Sequence, residues 1–98
     1  MVLGDFEGTI NPDYPLSGYP LFNAPQSVTA VISDAGYDVM DLAHNHILDS
    51  GLEGAFTTAD AFKEVGIDPV GVYENPVRDK APLFIKNVNG IKVAILSY

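Results

Sequence analysis

The sequence predicts an α/β fold: mostly parallel strands alternate with helices, and a β-hairpin lies at the C-terminal end. Three observations predict it. Short apolar runs alternate with stretches whose apolar residues recur at helical spacing. Each helical stretch is followed by a glycine, Gly36 and Gly66, where a left-handed C-terminal residue is needed. Near the end, Asn89-Gly90 separates two apolar runs, a strong short-range hairpin signal.

Taken in order, Met1 to Phe6 reads as a strand ending in the acidic turn Gly4-Asp5-Phe6-Glu7-Gly8. Residues 11 to 25 hold Pro12, Pro15, Pro20 and Pro25, which bar a helix or central strand and predict a long irregular loop. Loops of that length in small domains carry function more often than shorter ones. Tyr14, Tyr19 and Phe22 in this loop are read as folding back over the core edge, with stacking on a sugar or peptide as the alternative.

Asn23 and Gln26 have the spacing of a capping box, and Val28, Val31, Ile32 and Ala35 form the apolar stripe of the first helix. Tyr37 to Ala43 is the second strand. Ser50 and Glu53 make a second capping-box pattern, and Leu52, Ala55, Phe56, Ala59 and Phe62 are the stripe of the second helix. Ile67 to Val72 is a strand, a loop with Asn75-Pro76 follows, and Leu83 to Val88 and Ile91 to Leu96 form the hairpin. No internal repeat or low-complexity segment is present. Right-handed crossovers are expected between the parallel strands.

With 98 residues, the chain is read as a single domain segment spanning residues 1 to 98. Both ends fall in or beside strands, which predicts an excised piece of a larger domain. The composition is 47% hydrophobic, enough to fill a small core. No apolar run approaches a membrane span, and no signal peptide is visible. Thirteen acidic residues against five basic ones give a net charge of -8. That balance argues against a nucleic-acid partner, whose phosphates need a basic face. The absence of cysteine excludes disulfides and thiolate zinc sites.

The chemistry is concentrated in Asp38-Val39-Met40-Asp41-Leu42-Ala43-His44-Asn45-His46-Ile47-Leu48-Asp49-Ser50-Gly51, which holds both histidines of the chain. This polar cluster follows a short buried strand, and open α/β sheets place their sites at the carboxyl ends of strands. Imidazole, amide oxygen and carboxylate are all metal-competent ligands, so His44, Asn45, His46 and Asp49 form one candidate group. The alternative is a polar loop whose Asn and Asp satisfy backbone groups, with Asp49 favouring the positive end of a helix.

Asp5 and Glu7 form a second group. Two residues apart, they share one face of an extended strand, and carboxylates that close repel unless a cation or proton intervenes. They are candidate ligands of a hard cation, against the reading of a solvated strand end. Thr9 and Ser97 lack any nucleophile context. Arg78 and Lys80 are read as a solvated loop, with anion contact as the alternative.

The two groups, with Tyr19-Pro20-Leu21-Phe22-Asn23-Ala24-Pro25 between them and Asn89-Gly90-Ile91-Lys92-Val93-Ala94-Ile95-Leu96-Ser97-Tyr98 after them, resemble the CapA family of bacterial poly-γ-glutamate capsule synthesis. That family is in turn similar to the calcineurin-like metallophosphoesterases. The most specific segment is Leu42-Ala43-His44-Asn45-His46-Ile47-Leu48-Asp49-Ser50-Gly51. The resemblance implies part of a metallophosphoesterase-like sandwich and divalent metal ions of unspecified identity. It implies Asn45 as a metal ligand, Glu7 as a bridging carboxylate with Asp5 beside it, and His46 as the residue that orients the phosphate or protonates the leaving oxygen.

Roles for His44 and Asp49 stay open. The family usually has asparagine at the position of His44 and often at that of Asp5, and commonly an aromatic at that of Ser50. Its opening Gly-Asp motif and its later histidine motif have no counterpart here, so the expected metal site is incomplete and the chain alone is expected to be inactive. The partner implied is a phosphoester or an anionic polymer. The intact parent is expected at the bacterial cell surface or membrane, either hydrolysing phosphoesters or handling polymer without catalysis. A small acidic interaction module is the reading that sets the family aside. Exposed sheet edges would favour homo-oligomers.

Overall fold

The computed structural model describes residues 1–73 and 83–98. The Asn75-Pro76 loop and the expectation for Arg78 and Lys80 lie outside the described residues.

The order is β1 (Leu3–Asp5), α1 (Val28–Asp34), β2 (Val39–Asp41), α2 (Gly51–Glu64), β3 (Asp68–Val70), β4 (Phe84–Val88) and β5 (Ile91–Ile95). The first three strands form a parallel sheet in the order β1-β2-β3, and β4-β5 is a separate antiparallel pair. Register places Leu3 beside Val39 and Asp5 beside Asp41, then Val39 beside Asp68 and Asp41 beside Val70. The α/β alternation and the closing hairpin are therefore as the sequence predicts.

Both helices end as their glycines require. Gly36 and Gly66 adopt φ of +96° and +80°. At each end the N–H of the glycine and of the next residue turn back: Gly36 to Ser33 and Tyr37 to Ile32, Gly66 to Lys63 and Ile67 to Phe62. This paired closure satisfies carbonyls that the helix leaves open. The hairpin turn likewise has Asn89 and Gly90 at φ +52° and +88°, the left-handed pair that matches the twist of two antiparallel strands.

Helix starts differ from the sequence reading. Ser27, not Asn23, caps α1, and neither it nor Ser50 makes a side-chain cap bond. Asn23 is buried, and its carboxamide instead holds the proline-rich loop. It donates to the carbonyls of Asn11, Tyr14 and Pro15 and accepts from the Asn11 N–H. Ser50 gives its hydroxyl to Thr9 Oγ1 at 2.8 Å. In both cases a buried polar group elsewhere claims the side chain, since leaving it unpaired costs more than a weak cap gains.

The core is built from Ile10, Met40, Leu42, Ala59, Ala61, Phe62 and Ile67, with half-buried Val28 and Ile32 of α1 packed on it. Phe6 meets Phe62 edge to face with centroids 5.1 Å apart. Because α1 and α2 share this cluster, both lie on one face of the sheet, as right-handed crossovers stepping in one direction demand. Three stripe residues are not core: Val31, Ala35 and Leu52 are exposed, and Thr29 and Thr58 are buried instead. The buried face of α1 centres on positions 28, 29 and 32, which turns Val31 away from it. Tyr14 and Tyr19 are also exposed rather than folded over the core edge. No described helix is long and apolar enough to cross a membrane.

Candidate functional site

The site begins where β2 ends. Asp41 accepts the Ala43 N–H at 2.9 Å and the Ser97 hydroxyl, so the turn after β2 is tied to the end of β5. Gly71, at φ +90°, sits against this junction; a Cβ there would lie 2.6 Å from Ser97 Oγ and 2.7 Å from Ala43 Cβ. Glycine is what allows the chain after β3 to pass so close.

From Ala43 the chain runs through successive tight turns. Ile47 N–H donates to the His44 carbonyl, Asp49 to that of His46, and Gly51 to that of Leu48. This coiled path brings side chains together that a strand would alternate between faces.

His46 Nδ1 lies 2.8 Å from Asp49 Oδ2. Asp49 Oδ2 also accepts the Phe22 backbone N–H at 2.7 Å. The Phe22 N–H, then the His46 hydrogen bond and the nearby imidazoles, lower the Asp49 pKa from its ordinary value against the opposing effect of desolvation. An ionised Asp49 accepts a hydrogen bond from Nδ1–H, which leaves His46 Nε2 with its lone pair. The Phe22 ring stands edge to face on the imidazole, with centroids 4.6 Å apart.

His44 faces two backbone donors, His46 N–H at 3.0 Å from Nδ1 and Gly8 N–H at 3.3 Å from Nε2. A neutral imidazole accepts through one nitrogen, and the shorter contact assigns that role to Nδ1. Either way the ring joins the acidic turn after β1 to the histidine turn after β2.

The sequence-predicted residues therefore divide. His44, His46 and Asp49 are brought together, with the backbone of Gly8 against them. Asn45 is exposed on a neighbouring groove of about 440 Å³, lined with Ala43, His44, Ile47, Gly71 and Tyr98. Asp5 is exposed and sits beside Asp41 across the strands. Glu7 is exposed past the end of β1, where the Gly8 N–H turns back to the Phe6 carbonyl. That turn ends the extended run on which a shared face for Asp5 and Glu7 depends.

The resemblance implies divalent metal. Among the described residues no three His, Asp or Glu side chains gather closely enough to hold an ion. The chemistry assignable to this chain is that of its own side chains.

Sequence reasoning passed over Phe22 as a contact of His46, Thr9 as its support, and Asp41 and Ser97 as a tether. Asp41 stood inside the polar stretch and carried a signal. Thr9 and Phe22 carried none, because their roles run through backbone atoms and a loop closure no spacing rule describes.

The whole chain, residues 1–98, matches the family model described as bacterial capsule synthesis protein PGA_cap. It is 38% identical over 76 residues to the capsule biosynthesis protein CapA of Bacillus anthracis, covering 78% of this chain and 18% of that protein. It is 29% identical over 68 residues to the PGA biosynthesis protein CapA of Bacillus subtilis (strain 168), covering 69% of this chain and 18% of that one. The chain thus spans about a fifth of the length of these curated relatives. No solved structure matches. On the full-length family match, this chain belongs to the bacterial capsule synthesis protein PGA_cap family.

Proposed function

We propose that this segment supplies the acid–base corner of a metallophosphoesterase-type site in a longer capsule biosynthesis protein. The observation that carries the reading is the His46–Asp49 pair. Asp49 Oδ2, 2.8 Å from His46 Nδ1, accepts the Nδ1–H and leaves Nε2 free to pick up a proton, after which Nε2–H can orient a phosphoryl oxygen or protonate a leaving oxygen. Asn45, Glu7 and Asp5 are the positions assigned toward divalent metal in that assembly, completed by residues beyond this chain.

The test is phosphodiester hydrolysis, with divalent metal supplied, by a longer family protein carrying this segment. His46→Ala is expected to lower kcat by about 10²–10⁴-fold, the usual contribution of a positioned acid or base. Full turnover by that variant ends the proposal. The purified 98-residue chain is expected to hydrolyse nothing, and metal-dependent turnover by it would refute the incomplete site.

The names of the matched relatives, a capsule biosynthesis protein and a PGA biosynthesis protein, favour a second reading, a non-catalytic role in binding or exporting anionic polymer such as poly-γ-glutamate at the cell surface. With a net charge of -8 the chain would need cations to meet a polyanion. Cation-dependent co-sedimentation with poly-γ-glutamate, unchanged by His46→Ala, would select this reading.

A further inference from the structure

The proline-rich loop meets the His46–Asp49 pair through Phe22. Phe22 donates its backbone N–H to Asp49 Oδ2 at 2.7 Å and sets its ring against the His46 imidazole at 4.6 Å. It is itself held from behind. Its carbonyl accepts the Thr9 hydroxyl at 2.7 Å, and Thr9 Oγ1 accepts the Ser50 hydroxyl at 2.8 Å. Thr9 and Ser50 are buried, and the Ala24 N–H closes on the Thr9 carbonyl at 2.8 Å. On the other side the loop is pinned by the paired backbone bonds between Ser17 and Asn23.

Phe22 thus touches both members of the pair, each by a different part of itself. Alone, the Asp49 carboxylate can rotate and offer its oxygens to water. With the Phe22 N–H on the same oxygen that meets His46, the carboxylate is fixed and stays ionised. The ring in turn blocks one side of the imidazole and limits its rotation about χ2, a soft torsion in histidine.

We propose that Phe22 is a positioning residue for His46. By clamping Asp49 and the imidazole together, it keeps the proton on Nδ1 and the lone pair of Nε2 directed outward. The inference rests on the reading that His46 works through Nε2, but it is tested without turnover.

Long-range ¹H–¹⁵N correlation spectra of the purified chain report which imidazole nitrogen carries the proton. They are recorded near pH 8, above the ordinary histidine range of about 6.5. The native chain is expected to show His46 as Nδ1–H with Nε2 bare; Nε2–H in the native chain overturns the proposal. Phe22→Leu is expected to lose the Nδ1–H majority, and Phe22→Tyr, which restores a ring, to keep it. A folded Phe22→Leu chain with the native signature also overturns it. If Phe22→Leu does not fold, Thr9→Val decides, because it removes the hydroxyl that holds the Phe22 carbonyl, along with that hydroxyl's bond from Ser50, and leaves the Phe22 ring in place. Loss of the signature supports the clamp, and retention overturns it. A shifted signature in these variants, together with unimpaired hydrolysis by His46→Ala in the longer protein, would leave the clamp standing while the acid–base reading falls.

Discussion

At the scale of single residues, Asp49 joins three parts of the chain: the loop through Phe22, the turn through His46 and the start of α2 through its neighbour Ser50. Its side chain is 10% exposed, and its two donors favour the charged form. A carboxyl whose folded pKa lies below its unfolded one binds protons less readily when folded. It therefore contributes stability that is fully present above the unfolded value of 3.8 and is lost as the pH falls through the lower, folded value. Asp49→Asn removes that titration. We expect the variant to be less stable than the native chain at neutral pH, with the difference narrowing as the pH falls below about 4. Urea melts across that range measure it. A stability gap that stays constant with pH would show that the carboxylate has no preferred folded partner.

Among the elements, α2 shows how a local rule is reversed by packing. Gly54 sits inside the helix, where alanine would ordinarily be better by about 1 kcal/mol. Here a Cβ would lie 2.0 Å from Ser50 Oγ and 3.0 Å from Ser50 Cβ. The Ser50 hydroxyl would have to swing off Thr9, and overpacking of this kind costs about 1–3 kcal/mol. Gly54→Ala is therefore expected to destabilise by about 1 kcal/mol net, read from the denaturation midpoint, and Ser50→Ala in the same chain to return part of the loss. The same contact explains what was legible in the sequence. Periodicity and glycine placement report interactions a few residues apart, so the order of elements, both helix ends and the Asn89-Gly90 turn were all readable. The proposed caps were not, because Ser50 and Asn23 are claimed by partners 41 and 12 residues away. For the site, the clustering of His44, His46 and Asp49 was readable because they lie within six residues of one another. Phe22, 27 positions from Asp49, was not.

Viewed whole, the described chain is a slab of 43 × 34 × 20 Å, one helical layer against one sheet with the hairpin as a second sheet. A slab leaves faces and edges open. β1 and β3 are both edges of the three-stranded sheet. On the hairpin, Ile85 pairs with Ala94 on the face opposite Phe84 and Ile95, and both are exposed. Leu83 and Leu96, just beyond the strand ends, are exposed with them at 59% and 73%. Contiguous apolar surface of this kind favours association, as do open strand edges. The charge of -8 opposes it, because copies of an acidic chain repel. Which effect wins depends on ionic strength: the screening length falls from about 30 Å at 0.01 M to about 10 Å at 0.1 M salt. We expect light scattering to report a monomer at low salt and a mass that rises with protein concentration at 0.15 M and above. Ile85→Glu, which puts a charge in the apolar patch, should delay that rise. A clean monomer over a wide concentration range at high salt would mean that the short, three-residue edge strands protect the sheet and that the hairpin patch is too small to hold a second copy.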